Sequence, residues 1–132
     1  MVVVADAIFC DDIRQEVTGK FILIGVYPGD LVPGRIPSSV PMGAMVRVHG
    51  LQKGVHEVEM VLTSPNGQRV IEEKSTFDLI ESHTPMVLIF AGFVMPIDGP
   101  GEITLSMKIA GEEPIASKLP VVLSKTTEIA PS

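Results

Sequence analysis

Hydrophobic and polar residues alternate most regularly over Glu102-Ile103-Thr104-Leu105-Ser106-Met107-Lys108-Ile109. Ile103, Leu105, Met107 and Ile109 fall on one side and polar groups on the other, the period of a strand with one face in the core and one in water. After Gly111-Glu112-Glu113 the chain returns through residues 115–124 with Ile115, Leu119, Val121 and Leu123 on one face. Pro120 offers no amide proton to a ladder, which predicts an edge strand. Residues 55–63 alternate in the same way, with Val58, Met60 and Leu62 opposed to Glu57, Glu59 and Thr63. The Ser64-Pro65-Asn66-Gly67 that follows is turn chemistry: proline presets φ, and asparagine and glycine tolerate the reversal. Residues 55–63 and 68–74 are therefore predicted to form a hairpin.

Two segments lack this alternation. Residues 21–26, Phe-Ile-Leu-Ile-Gly-Val, and residues 86–95 are apolar on both sides, whereas an antiparallel strand normally turns one side to water. Both predict a cover on their outer faces: a partner subunit, a crossing loop, or a short helix over 75–82, where Ser75-Thr76-Phe77-Asp78 has the form of a capping box. The first of the two is the second arm of a hairpin within residues 5–27. Its first arm ends in Cys10, Asp11, Asp12, Arg14 and Glu16, and its turn lies near Thr18 and Gly19. Residues 27–44, with Pro28, Pro33, Pro37 and Pro41, are predicted to be an extended crossover between two sheets. A polar tail over 126–132 is expected to fray.

These elements compose one all-β domain over residues 1–125, a single-domain antiparallel β-sandwich of immunoglobulin-like type with about eight strands and at most one short helix. The 12 glycines and 11 prolines of the 132 residues suit short strands joined by turns.

Charge removes several function classes. The formal charge of -6 and ten singly scattered basic residues argue against nucleic acid, whose phosphates are bound by clustered Lys and Arg, and against an anionic membrane surface. The longest uncharged stretch, Ser82 to Ile97, contains two prolines and is too short to span a bilayer. One cysteine forms no internal disulfide, and the N-terminal residues lack a basic region followed by an apolar one. The expectation is a cytoplasmic protein.

Candidate chemistry is thin. Carboxylates beside Cys10 disfavour its thiolate. Asp11, Asp12 and Glu16 offer hard oxygens for a cation, yet neighbouring residues of a strand point to opposite faces and no calcium-loop pattern follows. His56-Glu57-Val58-Glu59-Met60 begins like a zinc-protease motif, but Met60 stands where the second histidine belongs, and the setting is a strand rather than a helix. Gly29-Asp30-Leu31-Val32-Pro33-Gly34 continues into Arg35-Ile36 instead of the Lys and Ser/Thr of a phosphate loop. No G-x-S-x-G elbow occurs. A single tyrosine and no tryptophan leave few platforms for stacked bases or sugars.

Cys10-Asp11-Asp12-Ile13-Arg14-Gln15-Glu16, followed by Gly19-Lys20 and Leu23-Ile24-Gly25-Val26-Tyr27, resembles the N-terminal pattern of a family of small uncharacterised bacterial proteins. His56-Glu57-Val58 with Ser64-Pro65-Asn66-Gly67 extends the resemblance over the first half of the chain. It implies a β-sandwich without an assigned activity and supplies no catalytic residues.

The reading that follows is a non-catalytic β-sandwich acting through protein contacts, as a homo-oligomer or a subunit of a larger assembly. Phe21, Leu23, Tyr27, Met86, Phe90 and Met95 are the candidate interface residues. No catalytic residue, metal or cofactor is expected, and neither nucleic acid nor membrane is an expected partner. The alternative is a small-ligand or cation-binding domain, or a minimal enzyme, using Asp11, Asp12, Arg14 and Glu16 together with Asp30 or a remote histidine.

Overall fold

The computed structural model describes residues 3–82 and 85–130, all of them strand, turn or irregular backbone. The strands are β1 (Val4–Cys10), β2 (Asp12–Gln15), β3 (Phe21–Ile24), β4 (Arg35–Ile36), β5 (Ser38–His49), β6 (Gly54–Thr63), β7 (Arg69–Leu79), β8 (Met86–Ile97), β9 (Gly101–Ile109), β10 (Ile115–Val121) and β11 (Glu128–Ile129). Seven of them make two antiparallel sheets, ordered β1-β5-β8 and β10-β9-β6-β7. β2 and β3 form a separate antiparallel ribbon, and β11 pairs with β4 in parallel. The architecture is a β-sandwich.

The alternating strands explain why the two sheets stack. Val58, Met60 and Leu62 of β6 and Ile103, Leu105, Met107 and Ile109 of β9 are all buried on the inner side of the four-stranded sheet. They meet Phe9, Ala44, Val46 and Val48 from β1 and β5, and Met86, Leu88, Phe93, Met95 and Ile97 from β8. Burying one such side chain contributes about 1.5–3 kcal/mol, so this interdigitated layer is the main source of stability. The Ser64–Gly67 reversal forms as expected. Gly67 N–H donates to Ser64 O at 3.0 Å, Ser64 N–H donates to Gln68 O at 2.8 Å, and Gly67 adopts a φ of 92°, where a side chain would be strained.

Several expectations need correction. Residues 75–79 are not helical: they continue β7, where Ser75 stands opposite Val58, Phe77 opposite His56 and Leu79 opposite Gly54. The capping-box pattern is a local signal, and the ladder with β6 overrides it. Ser82 lies in a turn, while His83 falls outside the described residues. Nor is β8 apolar on both sides without order. Its inner and outer positions alternate, and the phase slips where Ala91 and Gly92 together oppose the single Gly43 of β5, a bulge with Gly92 at a φ of 71°. Met86 and Met95, expected at an interface, are core residues at 5% and 0% exposure.

The proline-rich crossover is shorter than expected, because β5 begins at Ser38 and takes Pro41 into the sheet, where β1 does not reach. Part of it seals a sheet edge: Leu31 N–H donates to Pro120 O at 2.8 Å, and Val122 N–H donates to Leu31 O at 3.0 Å. The tail expected to fray is tied down through Ala130, with β11 at Glu128–Ile129, while its last two residues fall outside the described ones. Glu128 N–H bonds Gly34 O, Ala130 N–H bonds Ile36 O, and the Thr127 hydroxyl donates to Pro33 O at 2.9 Å. Pro120 does lie on the edge strand β10.

Leu62, at 1% exposure, faces the opposing sheet near the end of β6. Leu62→Ala is expected to cost about 2–5 kcal/mol through lost burial and the cavity left behind. Urea unfolding measures this, and a loss under about 1 kcal/mol would contradict the packing described.

Candidate functional site

The N-terminal charged arm becomes a corner. β1 runs along β5 as far as Cys10, after which the chain leaves the sheet and enters the ribbon as β2. Asp11 makes the transition. Its N–H is shared between Ile24 O at 2.9 Å and Gly25 O at 3.1 Å, and its carboxylate lies over Gly25, where a β-carbon would collide with it. Gly25, at a φ of 67°, is thus required both by its backbone conformation and by this close approach. Tyr27 closes the corner: its N–H donates to Phe9 O at 2.9 Å, and its hydroxyl donates to Asp11 Oδ1 at 2.8 Å.

The structure separates the acidic residues instead of gathering them. Asp11 accepts from Tyr27. Asp12 accepts from Arg14 Nε at 2.6 Å and from Ile13 N–H at 2.8 Å, and the hydrogen bond from the guanidinium holds its carboxyl below the usual carboxylate range. Glu16 lies 4.0 Å from Lys20 Nζ. Among the described residues no three His, Cys, Asp or Glu side chains converge as a metal site would require. Asp30 is exposed in the loop before Leu31. Cys10 is fully buried, with its thiol directed at Asp12 O and Gly43 O at 3.4 and 3.6 Å. Burial pushes its pKa up, with the nearby Asp11 and Asp12 charges adding to the rise, so it is an inert thiol.

The apolar positions give a different picture. In the ribbon Ile13 opposes Leu23, Arg14 opposes Ile22, Gln15 opposes Phe21 and Asp12 opposes Ile24, and opposed residues share a face. Ile13 and Leu23 turn toward the sandwich: Ile13 is buried over Gly43, where a β-carbon would come within 3.0 Å of its Cγ1. Ile22 and Ile24 lie on the outer face, each 45% exposed, and Phe21 remains 39% exposed and Val26 48%. Of the predicted interface residues, Phe21 is exposed, Leu23, Tyr27 and Phe90 are half-buried, and Met86 and Met95 are in the core.

The sequence did not single out the outer face of the three-stranded sheet. Because Phe9 and Ala44 point into the core, their neighbours Ile8 and Met45 point outward, in one row with Ile89. Val87 and Val94 extend this face and are exposed. The ribbon packs against part of it, through Ile13 over Gly43. The four-stranded sheet is the opposite case, with an outer face of Glu57, Glu59, Thr76, Lys74, Ser106 and Lys108, including a Lys74–Glu59 pair at 3.2 Å. A hollow of about 310 Å³ lined by Glu57, Glu59, Lys74 and Thr76 lies on that charged face. The protein therefore has one charged face and one face on which an apolar row, Ile8–Met45–Ile89, lies beside the charged Asp6 and Arg47.

Fold and surface define a β-sandwich whose chemistry-bearing side chains are dispersed and whose apolar groups are partly unshielded. Residues 5–122 match the model of a family of unknown function, DUF6941, and the chain belongs to that family. No curated protein matches it. Among the described residues no helix is long and apolar enough to cross a membrane.

Tyr27 is the only tyrosine, so its ionisation reports directly on the corner. Burial, followed by the hydrogen bond to Asp11 and the charge of Asp11, raises its pKa to about 12. The phenol ordinarily titrates near 10. The folded state therefore holds its proton more tightly than the unfolded chain, so this contribution to stability is complete below about pH 10 and is lost as the pH rises through about 12. Phenolate absorbance of the folded protein should stay flat through pH 10–11, and Asp11→Asn should bring the midpoint down. A midpoint near 10 in the unmodified protein would show that the corner is open.

Proposed function

We propose that the protein is a non-catalytic interaction module that self-associates or serves as a subunit of a larger assembly, using the ribbon and the outward apolar residues of the three-stranded sheet. The observation that carries this reading is the exposed apolar strand β3, which has a neighbour on one side only. Contiguous exposed apolar surface on a soluble domain marks an interaction site far more often than an idle patch. The dispersal of Asp11, Asp12 and Glu16 onto separate local partners adds support, since a ligand pocket needs convergent polar groups.

The sandwich itself is read here as immunoglobulin-like. If the seven strands of the two sheets are lettered A to G in chain order, the sheets become A-B-E and G-F-C-D, and the first and last of these strands lie at one side of the sandwich. A cytoplasmic setting fits the single buried, unpaired cysteine.

A photo-crosslinking residue separates the two faces in cells expressing the protein. Placed at Ile24 or Val94 it should yield adducts of higher mass. Placed at Glu57 or Thr76, on the charged face, it should yield few or none. Equal yields from both faces, or no adducts from either, would remove the interaction reading.

A further inference from the structure

We propose that the partner of β3 is the β3 strand of a second copy of this chain, paired antiparallel about a two-fold axis through Ile22. The inference rests on the interaction reading above and names the partner and its register.

The backbone supplies the first argument. Glu16 N–H donates to Lys20 O at 2.7 Å, so Lys20 directs its main-chain groups toward β2. In an antiparallel pair this orientation alternates from residue to residue. Ile22 and Ile24 therefore also face β2, while Phe21 and Leu23 direct their N–H and C=O groups to the free side. A bare row of this kind is a template for another strand. The other edge strands each carry a guard: β2 has Asp12 and Arg14, β4 has Arg35 and β11 has Glu128. β7 carries Glu72-Glu73-Lys74, β8 carries the Gly92 bulge and Pro96, β10 carries Pro120 and is bridged by Leu31, and β1 has Asp6 and its Phe9 carbonyl taken by Tyr27. β3 has no charge, proline or bulge.

Register supplies the second. With the axis at Ile22, Phe21 of each copy meets Leu23 of the other, and all the outward N–H and C=O groups of both strands are used in two doubly bonded pairs. With the axis at Leu23, Phe21 would instead meet Gly25, whose carbonyl already accepts from Asp11. Of these two registers, only the one centred on Ile22 pairs every outward group of the strand. Charge agrees with it. Across the joined ribbons the outer-face rows read Glu16–Lys20–Ile24–Asp12 and Arg14–Ile22–Ile22–Arg14, extended from the observed pairs. Like charges meet only at the ends of each row, Glu16 with Asp12 and Arg14 with Arg14, and three strand spacings of about 4.8 Å place them about 14 Å apart, beyond the screening length of about 8 Å.

The two Ile22 residues would form a non-hydrogen-bonded pair with Cα atoms about 4.5 Å apart, within the range a disulfide bridges. Ile22→Cys, made in the full chain with Cys10 still buried, should give a covalent dimer under mild oxidation. Arg14→Cys, on the same face, should not. By light scattering the unmodified protein should move from one to two chain masses with concentration, and Ile22→Lys should hold it at one mass with an unchanged circular dichroism spectrum. A unmodified protein that stays monomeric into the millimolar range, or an Arg14→Cys chain that crosslinks as fast as Ile22→Cys, would overturn the proposal. A monomer whose Ile24 photo-adducts contain a different protein would overturn the second-copy partner and leave the interaction reading standing. If no adducts form, both fall.

Discussion

Every backbone N–H and C=O that leaves water needs a partner, and this requirement organises the protein more than any single side chain does. In an all-β domain it is met within the sheets and remains open at their edges. The chain closes edge after edge with segments that look irregular in sequence. Leu31 bridges β10 at Val121, Tyr27 takes the Phe9 carbonyl, and Glu128–Ile129 pairs with Arg35–Ile36. The stacked core supplies the free energy of folding, while these edge closures decide which surfaces remain available. β3 is what remains.

The acidic N-terminal arm, which has the densest charge in the chain, belongs to the same scheme. Its carboxylates hold a corner together: Asp11 fixes the Gly25 reversal and receives the Tyr27 hydroxyl, and Asp12 pairs with Arg14 along its own strand. The corner lets β1 leave the sheet and become β2, and so projects the ribbon from the sandwich. The charged arm thus supports the apolar arm, which the proposed function takes as the contact element.

Much of this was legible in the sequence because it is local. The alternation of residues 102–109 and 55–63, the Ser64–Gly67 turn, the hairpin at Thr18-Gly19 and the edge position of Pro120 follow from period and turn chemistry within ten residues. What could not be read depends on distant partners. Ser75–Asp78 has the pattern of a helix start, but the opposing β6 strand recruits it. The slip at Ala91–Gly92 disguises the alternation of β8, so that Met86 and Met95 looked available although both point inward. The outward row of Ile8, Met45 and Ile89 draws one residue from each of three strands, and no window of sequence contains it. The corner is a case between these: Asp11 and Tyr27 stand out in the sequence, but the hydrogen bond between them spans 16 residues and exists only in the fold.

The free edge of β3 is the central claim, and amide hydrogen exchange at Phe21 and Leu23 tests it most directly. Exchange at these two amides should be fast in dilute protein and slow markedly as concentration rises, while Ile22 and Ile24, already bonded within the ribbon, change little. Phe21 and Leu23 amides that exchange equally fast at every concentration, or that are already protected in the dilute monomer, would contradict the account.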